Sequence, residues 1–514
     1  MIKEIEIVCP PGQQEDEGAL INIAAASLKI SPQKVSALKI LKRSIDARGR
    51  RVVYRMQVQV FMDEPYVPET FTVKYPDVKT AKPVIIIGAG PAGLFAALQC
   101  IELGLKPIIV ERGKDVKQRR RDLANINKQG LVNPESNYCF GEGGAGTYSD
   151  GKLYTRSTKR GDVNAVLKTF VAHGATEDIL IDARPHIGTN KLPQIITSIK
   201  DSILNAGGEV LFDAKVISLL VEFGKIKGVE LANGQKIMAD KVILATGHSA
   251  RDIFEMLHHQ NILIEAKPFA LGVRIEHPQE IIDQAQYHCE FRGPDLPPSY
   301  YNLVEQVENR GVFSFCMCPG GIIAPCATGA EEIVVNGWSP SKRNNPFANS
   351  GTVVQINSED VKGDMNGPLR MLRFQQKIEK LAFKAGGGNL VAPGQRMIDF
   401  VENRISKDLP QNSYLPGTKS VELKEILPGW INERLRKALP VFGRKMKGYY
   451  TNEAILVGVE SRTSSPVKVP RDKETLQHPQ VTGLFPCGEG AGYAGGIISA
   501  AIDGINCAIA ASKI

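Results

Sequence analysis

One glycine-rich segment constrains the fold of this chain more than any other feature. The residues Gly88-Ala-Gly-Pro-Ala-Gly93 follow an apolar β-run, Val84 to Ile87, and open a run with helical character. In a strand–turn–helix unit, the first glycine permits the tight turn, the second lets the backbone approach a pyrophosphate, and the third lets the helix pack on the strand. Free N–H groups and the positive helix dipole then attract the phosphates. The segment predicts a dinucleotide site that includes Gly88, Gly90, Pro91, Ala92 and Gly93.

The next predicted strand, Pro107 to Val110, ends directly before two residues suited to an adenosine ribose. Glu111 lies roughly 20 residues beyond the glycine turn, where such units carry an acidic residue. Its carboxylate can accept hydrogen bonds from ribose hydroxyls, which favours FAD or NAD over NADP. We therefore expect Glu111 and the adjacent Arg112 to contact the cofactor.

The C-terminal part of the chain favours FAD over NAD. The segment Thr482 to Gly496 contains Gly488-Glu489-Gly490 and precedes an apolar helix over Ile497 to Ala511. An acidic side chain after the strand can reach the ribitol, and the positive end of a glycine-opened helix stabilises an anionic reduced flavin. The predicted contacts at this end are Gly488, Glu489, Gly495, Gly496 and Ile497.

A third strand ends in Ala245-Thr246-Gly247, and we assign these residues to the cofactor site as well. Taken together, the motifs resemble the glutathione-reductase-like FAD superfamily. Within it, the chain is similar to the family of predicted NAD(FAD)-utilising dehydrogenases, for which no reaction is assigned. The segments that carry this likeness are Phe140 to Leu153, Ala245 to Asp252, Ser314 to Gly321 and Glu460 to Pro466.

The resemblance implies an α/β chain with an FAD/NAD(P)-binding Rossmann-like fold of the two-dinucleotide-binding-motif kind. We expect a small N-terminal α/β domain at 1–80, an FAD-binding domain at 83–250 and 475–514, and an inserted mixed α+β substrate domain at 251–474. The resemblance also places the loop Gly141 to Lys152 near the flavin, with Gly144, Gly146 and Thr147 as contacts. In the N-terminal domain, the pattern predicts strands at Glu4 to Val8 and Arg51 to Phe61, and helices at Glu17 to Leu28 and Ser31 to Leu41.

Two cysteines, Cys316 and Cys318, are the candidate catalytic residues. A thiol beside a flavin becomes reactive when its pKa is lowered. A disulfide across one intervening residue is strained, and disulfide-reductase relatives use a pair separated by four residues near the first motif, where this chain has only Cys139. The alternative is that both cysteines are small apolar residues beside a tight Pro-Gly-Gly turn.

The basic run Lys114 to Arg121 has two interpretations. It can contact the adenosine or pyrophosphate of the cofactor, or it can form a solvated helix face. The net charge of +8 is mild over 514 residues, so nucleic acid is a less favoured partner that is not excluded.

Other features narrow the class of protein. The eight histidines show no metal-ligand spacing and the nine cysteines show no disulfide framework, so we predict no metal site and reduced thiols. The sequence shows no secretory signal and no apolar run long enough for a membrane span, which predicts a cytoplasmic protein. Residues 250 to 480 carry no second Gly-x-Gly-x-x-Gly, so a nicotinamide donor such as NADH would dock transiently.

These features predict an FAD-dependent oxidoreductase, of the dehydrogenase type, that transfers a hydride or electrons on a small-molecule substrate, with NADH as an optional donor. Two alternatives stay open: an RNA-binding or tRNA-modifying flavoprotein, and a non-enzymatic flavin-binding scaffold. The substrate and the oligomeric state cannot be read from the sequence.

Overall fold

A three-stranded antiparallel sheet with one helix forms the N-terminal part of the structure, a computed structural model that describes residues 1–155, 158–361 and 367–514. Strand β3 lies between β1 and β2. Apolar side chains of β3, among them Met56 and Val58, pack under the helix with Leu20 and Ala24. The elements are β1 (Ile2–Cys9), α1 (Glu17–Leu28), β2 (Val35–Asp46) and β3 (Val53–Met62).

The helix predicted at Ser31 to Leu41 is wrong. Ser31 and Pro32 do start a helical turn, but it is a single 3₁₀ turn, Pro32–Lys34, and the chain then runs as β2. Strand β2 pairs with β3 from Val35 to Asp46. This long-range pairing outweighs the local helix-start signal, because tertiary context overrides weak intrinsic propensity.

A five-stranded parallel sheet lies at the centre of the chain and combines strands from distant parts of the sequence. Its first section has alternating strands and helices, as the glycine motif predicts. The elements of this section are β4 (Pro83–Ile87), α2 (Pro91–Glu102), β5 (Lys106–Val110), α3 (Val116–Gln129), α4 (Val163–Ala172), α5 (Asp178–Ile181), α6 (Leu192–Asn205), β6 (Glu209–Leu211), β7 (Val216–Glu222), β8 (Lys225–Leu231), β9 (Lys236–Met238), β10 (Val242–Leu244) and α7 (Arg251–His259).

A seven-stranded sheet, mostly antiparallel, follows in sequence. Helices α9 and α11 contribute to the apolar core on this sheet, with Ile378 and Leu435 fully or almost fully buried. The elements of this part of the chain are β11 (Glu265–Ala266), β12 (Phe269–Pro278), α8 (Gln279–Tyr287), β13 (Val304–Val307), β14 (Arg310–Cys318), β15 (Ile322–Pro325), β16 (Val335–Trp338), β17 (Phe347–Ile356), α9 (Arg370–Gly386), β18 (Ala392–Arg396), α10 (Met397–Val401), β19 (Thr418–Ser420), α11 (Gly429–Lys445), β20 (Ile455–Glu460) and β21 (Val467–Lys468). Strand β11 pairs with β21 and β15 with β16 in two separate two-stranded sheets, and the other seven strands form the large sheet.

The chain then returns to the parallel sheet through β22 (Leu484–Pro486) and ends with α12 (Ile497–Ser512). The strand order is β22-β10-β4-β5-β6, and all four pairings are parallel. One face of the sheet packs on α2, α6 and α12, and the other packs on the β7-β8-β9 sheet and α7. This three-layer arrangement confirms the predicted Rossmann-like fold.

No helix within the described residues is long and apolar enough to cross a membrane.

Candidate active site

A cavity of about 370 Å³ opens at the carboxyl ends of the parallel strands. Ile87 ends β4, Val110 ends β5, and Ala245 follows β10, and all three line the cavity. In open parallel sheets, ligands bind in the crevice beyond the carboxyl ends of the strands. The fold therefore puts the predicted motifs at one binding site.

The glycine turn after β4 is fixed by packing on both sides. Gly88 has a φ of 106°, and a Cβ there would lie 2.5 Å from the carbonyl oxygen of Ala245. A Cβ on Gly93 would lie 1.9 Å from the carbonyl oxygen of Gly88. Neither position tolerates a side chain, so the turn and the start of α2 keep a close backbone contact.

Gly90 is the N-cap of α2 and offers no side chain to cap the helix. Gly90, Pro91 and Ala92 line the cavity, so the first turn of the helix faces it. A second helix start lies in the same wall, since α12 has Gly496 as an uncapped N-cap and Gly495, Gly496 and Ile497 line the cavity. Two positive helix ends therefore act on one cavity.

Glu111 lines the cavity while its carboxylate holds three loops together. Its Oε2 accepts a hydrogen bond from the backbone N–H of Ala89, and its Oε1 accepts from those of Gly113 and Gly141, each at 2.9 Å. A carboxylate oxygen has two lone pairs, so Oε2 keeps capacity for one ribose hydroxyl. The predicted ribose contact is compatible with this second, structural role.

Arg112 forms part of the wall as a paired cation. Its guanidinium bonds Asp252 at 2.8 Å and Glu135 at 2.6 Å, and it stacks 4.3 Å from the ring centroid of Phe140. These two carboxylates therefore largely neutralise the charge of Arg112 without any ligand.

Arg119 stabilises the backbone of the glycine-rich loop from inside the protein. It is fully buried, and its guanidinium donates to the carbonyl oxygens of Asn137, Tyr138 and Glu142 at 2.8 to 2.9 Å. Neither interpretation of the basic run applies to Arg119, because it meets neither solvent nor the cavity wall. It fixes the backbone that carries Gly144 and Gly146 into the cavity.

Four of the predicted site residues lie behind the wall. Gly93 packs on Gly88, Gly488 donates its N–H to Asp503 at 2.7 Å, and Thr147 is buried and donates its hydroxyl to the carbonyl of Glu142 at 2.6 Å. Cys318 is buried beneath Cys316. These residues shape the wall. The predicted residues in the wall itself are Gly88, Gly90, Pro91, Ala92, Glu111, Arg112, Gly144, Gly146, Ala245, Thr246, Gly247, Cys316, Glu489, Gly495, Gly496 and Ile497.

Glu489 and His248 are wall side chains with shifted pKa values. Burial raises the pKa of Glu489 to about 7, opposed by the ammonium of Lys267. Burial, with the guanidinium of Arg462, lowers the pKa of His248 to about 3, so this imidazole is neutral. Glu489 is thus the carboxyl in the wall that can gain or lose a proton near neutral pH.

The thiol pair lies at a bulge in β14. Its pairing with β17 steps from Phe315 opposite Gly351 to Cys318 opposite Asn349, and Cys316 has a φ of 47°. The extra residue of a bulge redirects a side chain. Cys316 lines the cavity, and the Cys318 thiol donates to the Cys316 carbonyl at 3.3 Å.

Two cations contact these sulfurs. Lys152 Nζ lies 3.6 Å from Cys316 Sγ and 3.5 Å from Cys318 Sγ, and the Arg274 guanidinium lies 3.6 Å from Cys318 Sγ. A hydrogen bond from Cys318, with the charges of Lys152 and Arg274, lowers the pKa of Cys316 well below its usual value, although burial opposes the shift. Burial raises the pKa of Cys318. One thiol of the pair is therefore favoured as a thiolate.

A further cluster lies behind the wall at α12. Ligand atoms of Cys487, Asp503 and Cys507 lie within 4.8 Å of one another. The Arg471 guanidinium donates to both oxygens of Asp503, at 2.6 and 3.0 Å, and to the sulfur of Cys507 at 3.3 Å. This cation supplies the positive charge of the cluster, which fits a buried ion pair better than a metal centre.

Family models match successive parts of the chain. A domain of unknown function matches residues 1–61, a pyridine nucleotide-disulphide oxidoreductase model matches residues 82–267, and a model described as FAD-dependent protein, C-terminal domain-like, matches residues 268–463. An uncharacterized protein from Clostridium beijerinckii is 41% identical over 514 residues, which cover 96% of each chain. The chain belongs to a family of FAD-dependent oxidoreductases.

Similarity to other proteins is more distant. The tRNA uridine 5-carboxymethylaminomethyl modification enzyme of Caldicellulosiruptor saccharolyticus is 27% identical over 166 residues, 32% of this chain and 24% of that enzyme. The crystal structure of CtdE in complex with FAD has 12% identity and a TM-score of 0.33, and covers 83% of this chain and 82% of that one.

The residues of the cavity suit the FAD of this family. A diphosphate needs N–H donors and positive potential, which the uncapped start of α2 provides. The flavin acquires negative charge on reduction, and the uncapped start of α12 offers a second positive end. Both helix starts lie in the wall of the cavity that contains Glu111 and Glu489.

Arg274 and Glu460 are site residues that the sequence reasoning missed. Both are buried, and they form an ion pair at 2.8 Å beneath the thiols. A signal was present, because Arg274 and Glu276 are charged residues within the otherwise largely apolar strand β12. A charged residue in a strand interior calls for a buried partner.

Proposed function

We propose that this FAD-dependent oxidoreductase is a dehydrogenase that moves a hydride or electron pair between NADH and a small-molecule substrate. The observation that carries the proposal is the single cavity, which joins the start of α2, the start of α12 and the thiol pair. A cofactor with a phosphate end and a redox end matches this set of groups. Bound FAD supplies the reversible two-electron chemistry.

We propose that residues of this chain bind the cofactor, orient it and set its reduction potential. We propose that the backbone N–H groups after Gly90 hold the diphosphate, that Glu111 accepts a ribose hydroxyl, and that Glu489 meets the ribitol. The start of α12 favours negative charge at the redox end, which raises the reduction potential there. Neutral His248 adds no charge to the wall.

We propose that NADH is an electron donor that binds only transiently. The model that matches residues 82–267 is named for pyridine nucleotide oxidoreductases, and the glycine motif of that region is already assigned to FAD. The sequence from 250 to 480 lacks a second glycine motif of this type. NADH would therefore enter, react and leave rather than stay bound.

An absorption spectrum of the purified protein, taken before and after anaerobic addition of NADH and then NADPH, tests the proposal. We expect flavin bands near one equivalent per chain that bleach with NADH and bleach more slowly with NADPH. Flavin that no nicotinamide bleaches would contradict the donor and favour a flavin-binding scaffold. A salt-sensitive shift of labelled tRNA by the protein would instead favour the tRNA-modifying alternative.

A further inference from the structure

The thiol pair lies in a cluster with more cations than carboxylates. Arg274 bonds Glu460 at 2.8 Å, and the Asp150 carboxylate faces Lys152 at 3.5 Å and Arg343 at 3.6 Å. The cluster therefore contains three basic side chains, Lys152, Arg274 and Arg343, and only two acidic ones, Asp150 and Glu460. A further negative charge in this cluster would balance it.

The other titratable groups do not supply that charge. Burial lowers the pKa of His186, which lies 3.9 Å from Asp150, to about 4, so the imidazole is neutral at pH 7. Glu460 is already counted as the partner of Arg274, and burial raises its pKa to about 7, so it supplies no further negative charge. Glu489, from the turn before α12, is opposed by its own cation, Lys267.

We propose that Cys316 is a stored thiolate and the nucleophile of this cavity, and that it bonds covalently to a soft electrophile brought in as substrate. The inference deepens the proposed function and rests on it, because FAD binding is what brings a substrate to this wall. Cys318 and Lys152 are positioning residues: the Cys318 thiol donates to the Cys316 carbonyl, and Lys152 balances the charge of the Cys316 sulfur. In the step, the sulfur lone pair forms the new bond, and the leaving group departs with the electron pair of the broken bond.

The geometry explains why Cys316 and not Cys318 takes this role. The bulge places the Cys316 side chain in the cavity wall, where a substrate can meet it, whereas Cys318 is buried. Arg274 also donates to the Cys316 carbonyl at 2.7 Å, which holds the bulge in place. The lowered pKa of Cys316 and the raised pKa of Cys318 agree with this division.

Alkylation by iodoacetamide between pH 6 and pH 9 tests the inference, with Cys316 followed by peptide mass mapping. The S–C bond forms, the C–I bond breaks and iodide leaves, so the rate reports the thiolate directly. N-acetylcysteine, an unperturbed thiol with a pKa above about 8.5, slows roughly 100-fold from pH 8 to pH 6. We expect Cys316 to slow less than three-fold. A decline as steep as that of N-acetylcysteine would overturn the inference.

Matched variants identify the reactive sulfur. Cys139 lines the same cavity, so Cys139→Ser should leave the labelling at pH 6 unchanged, whereas Cys316→Ser should abolish it. Cys318→Ala removes the hydrogen-bond donor and should move the Cys316 profile to higher pH while leaving it labelled. If pH 6 labelling persists in Cys316→Ser, another thiol is responsible and the inference is wrong.

The same experiment separates this inference from the proposed function. It is run on the purified protein and on protein stripped of flavin, so Cys316 is measured whether or not FAD binds. If the protein binds no FAD but alkylation of Cys316 slows little between pH 8 and pH 6, the proposed function is wrong and the assignment of Cys316 as a thiolate stands. If the protein binds FAD and NADH bleaches its flavin, but Cys316 of the stripped protein is alkylated with the pH dependence of N-acetylcysteine, Cys316 is not a stored thiolate. The proposed function would be unaffected by that result.

Discussion

Lys152 Nζ lies 3.6 Å from Cys316 Sγ, although 164 residues separate the two along the chain. Lys152 belongs to the glycine-rich loop beside the parallel sheet, and Cys316 belongs to the seven-stranded sheet. The contact joins the two parts of the molecule at the cavity, and Asp150 holds the lysine from the other side. The seven-stranded sheet supplies the thiol and Arg274, and Lys152 reaches them only from the other part.

Replacing this cation should change the thiol rather than the fold. In Lys152→Met, we expect the pKa of Cys316 to rise, because a nearby positive charge favours the thiolate. The absorbance of the thiolate near 240 nm, followed against pH, should show a midpoint at higher pH than in the wild type. Alkylation of Cys316 at pH 6 should slow several-fold.

A matched control for this variant is Lys215→Met. Lys215 also lines the cavity, but its ammonium is paired with Glu135 at 2.8 Å and with Asp252 at 3.3 Å. We expect its removal to leave the Cys316 titration where it was. Equal titrations in the wild type and Lys152→Met would show that the lysine does not stabilise the thiolate.

The close contact at the start of α2 predicts a large cost for one methyl group. In Gly93→Ala, the new Cβ would lie 1.9 Å from the carbonyl oxygen of Gly88, so the helix must shift. Overpacking of this kind costs about 1 to 3 kcal/mol. We expect a lower urea midpoint and weaker retention of FAD on gel filtration.

Gly429→Ala is the control, because a Cβ there has no atom of the described residues within 4 Å. Alanine has the higher helix propensity, so the expected change is neutral or stabilising by up to about 1 kcal/mol. A Gly93→Ala protein as stable as this control would show that the helix can move away at little cost.

The parallel sheet and its cavity could be predicted because their signals are local. The glycine turn, the acidic residue after β5 and the glycine-opened C-terminal helix each occupy a few consecutive residues. Ten of the residues assigned to the site on these grounds line the cavity. The helix predicted at Ser31 failed for the opposite reason, since the pairing of β2 with β3 is a long-range contact that a local pattern does not contain.

The charge cluster beneath the thiols could not be predicted for the same physical reason. Lys152, Arg274, Arg343 and Glu460 come from four separate segments and meet only after the sheets pack. Arg119 was misread because five basic residues among eight suggest a solvated face or a ligand contact, yet Arg119 alone among them is buried. Helical periodicity fixes which residue is buried only once the packed face is known.

Arg119 should be essential for the cofactor without contacting it. In Arg119→Met, three buried carbonyls lose their donor, and each unsatisfied group costs about 1 to 3 kcal/mol. We expect the loop to loosen and the Kd for FAD, measured by fluorescence quenching, to rise at least about ten-fold. The neighbour Arg120 is exposed, so Arg120→Met should bind FAD as the wild type does. Equal affinities in the two variants would contradict the bracing role.

Glu276 gives the fold a defined pH dependence away from the cavity. It is buried, it accepts hydrogen bonds from the backbone N–H of Ser413 at 2.7 Å and from the Ser413 hydroxyl, and burial raises its pKa from 4.5 to about 7. Between these pH values the folded carboxyl keeps a proton that the unfolded chain releases. Stability therefore falls as pH rises from about 4.5 to 7, by up to about 3 kcal/mol from this group, and levels off above.

Glu276→Gln removes the titration and keeps the shape of the side chain, so the decrease in stability from pH 5 to pH 8 should become shallower. Burial also raises the pKa values of Glu460 and Glu489 to about 7, so part of the slope should remain. Urea midpoints at half-unit pH steps measure it. Glu280→Gln, four residues further along the chain and exposed at the start of α8, should keep the full wild-type slope. If Glu276→Gln keeps that slope as well, the carboxyl is ionised in the folded protein throughout this range, and Ser413 offsets the cost of burying its charge.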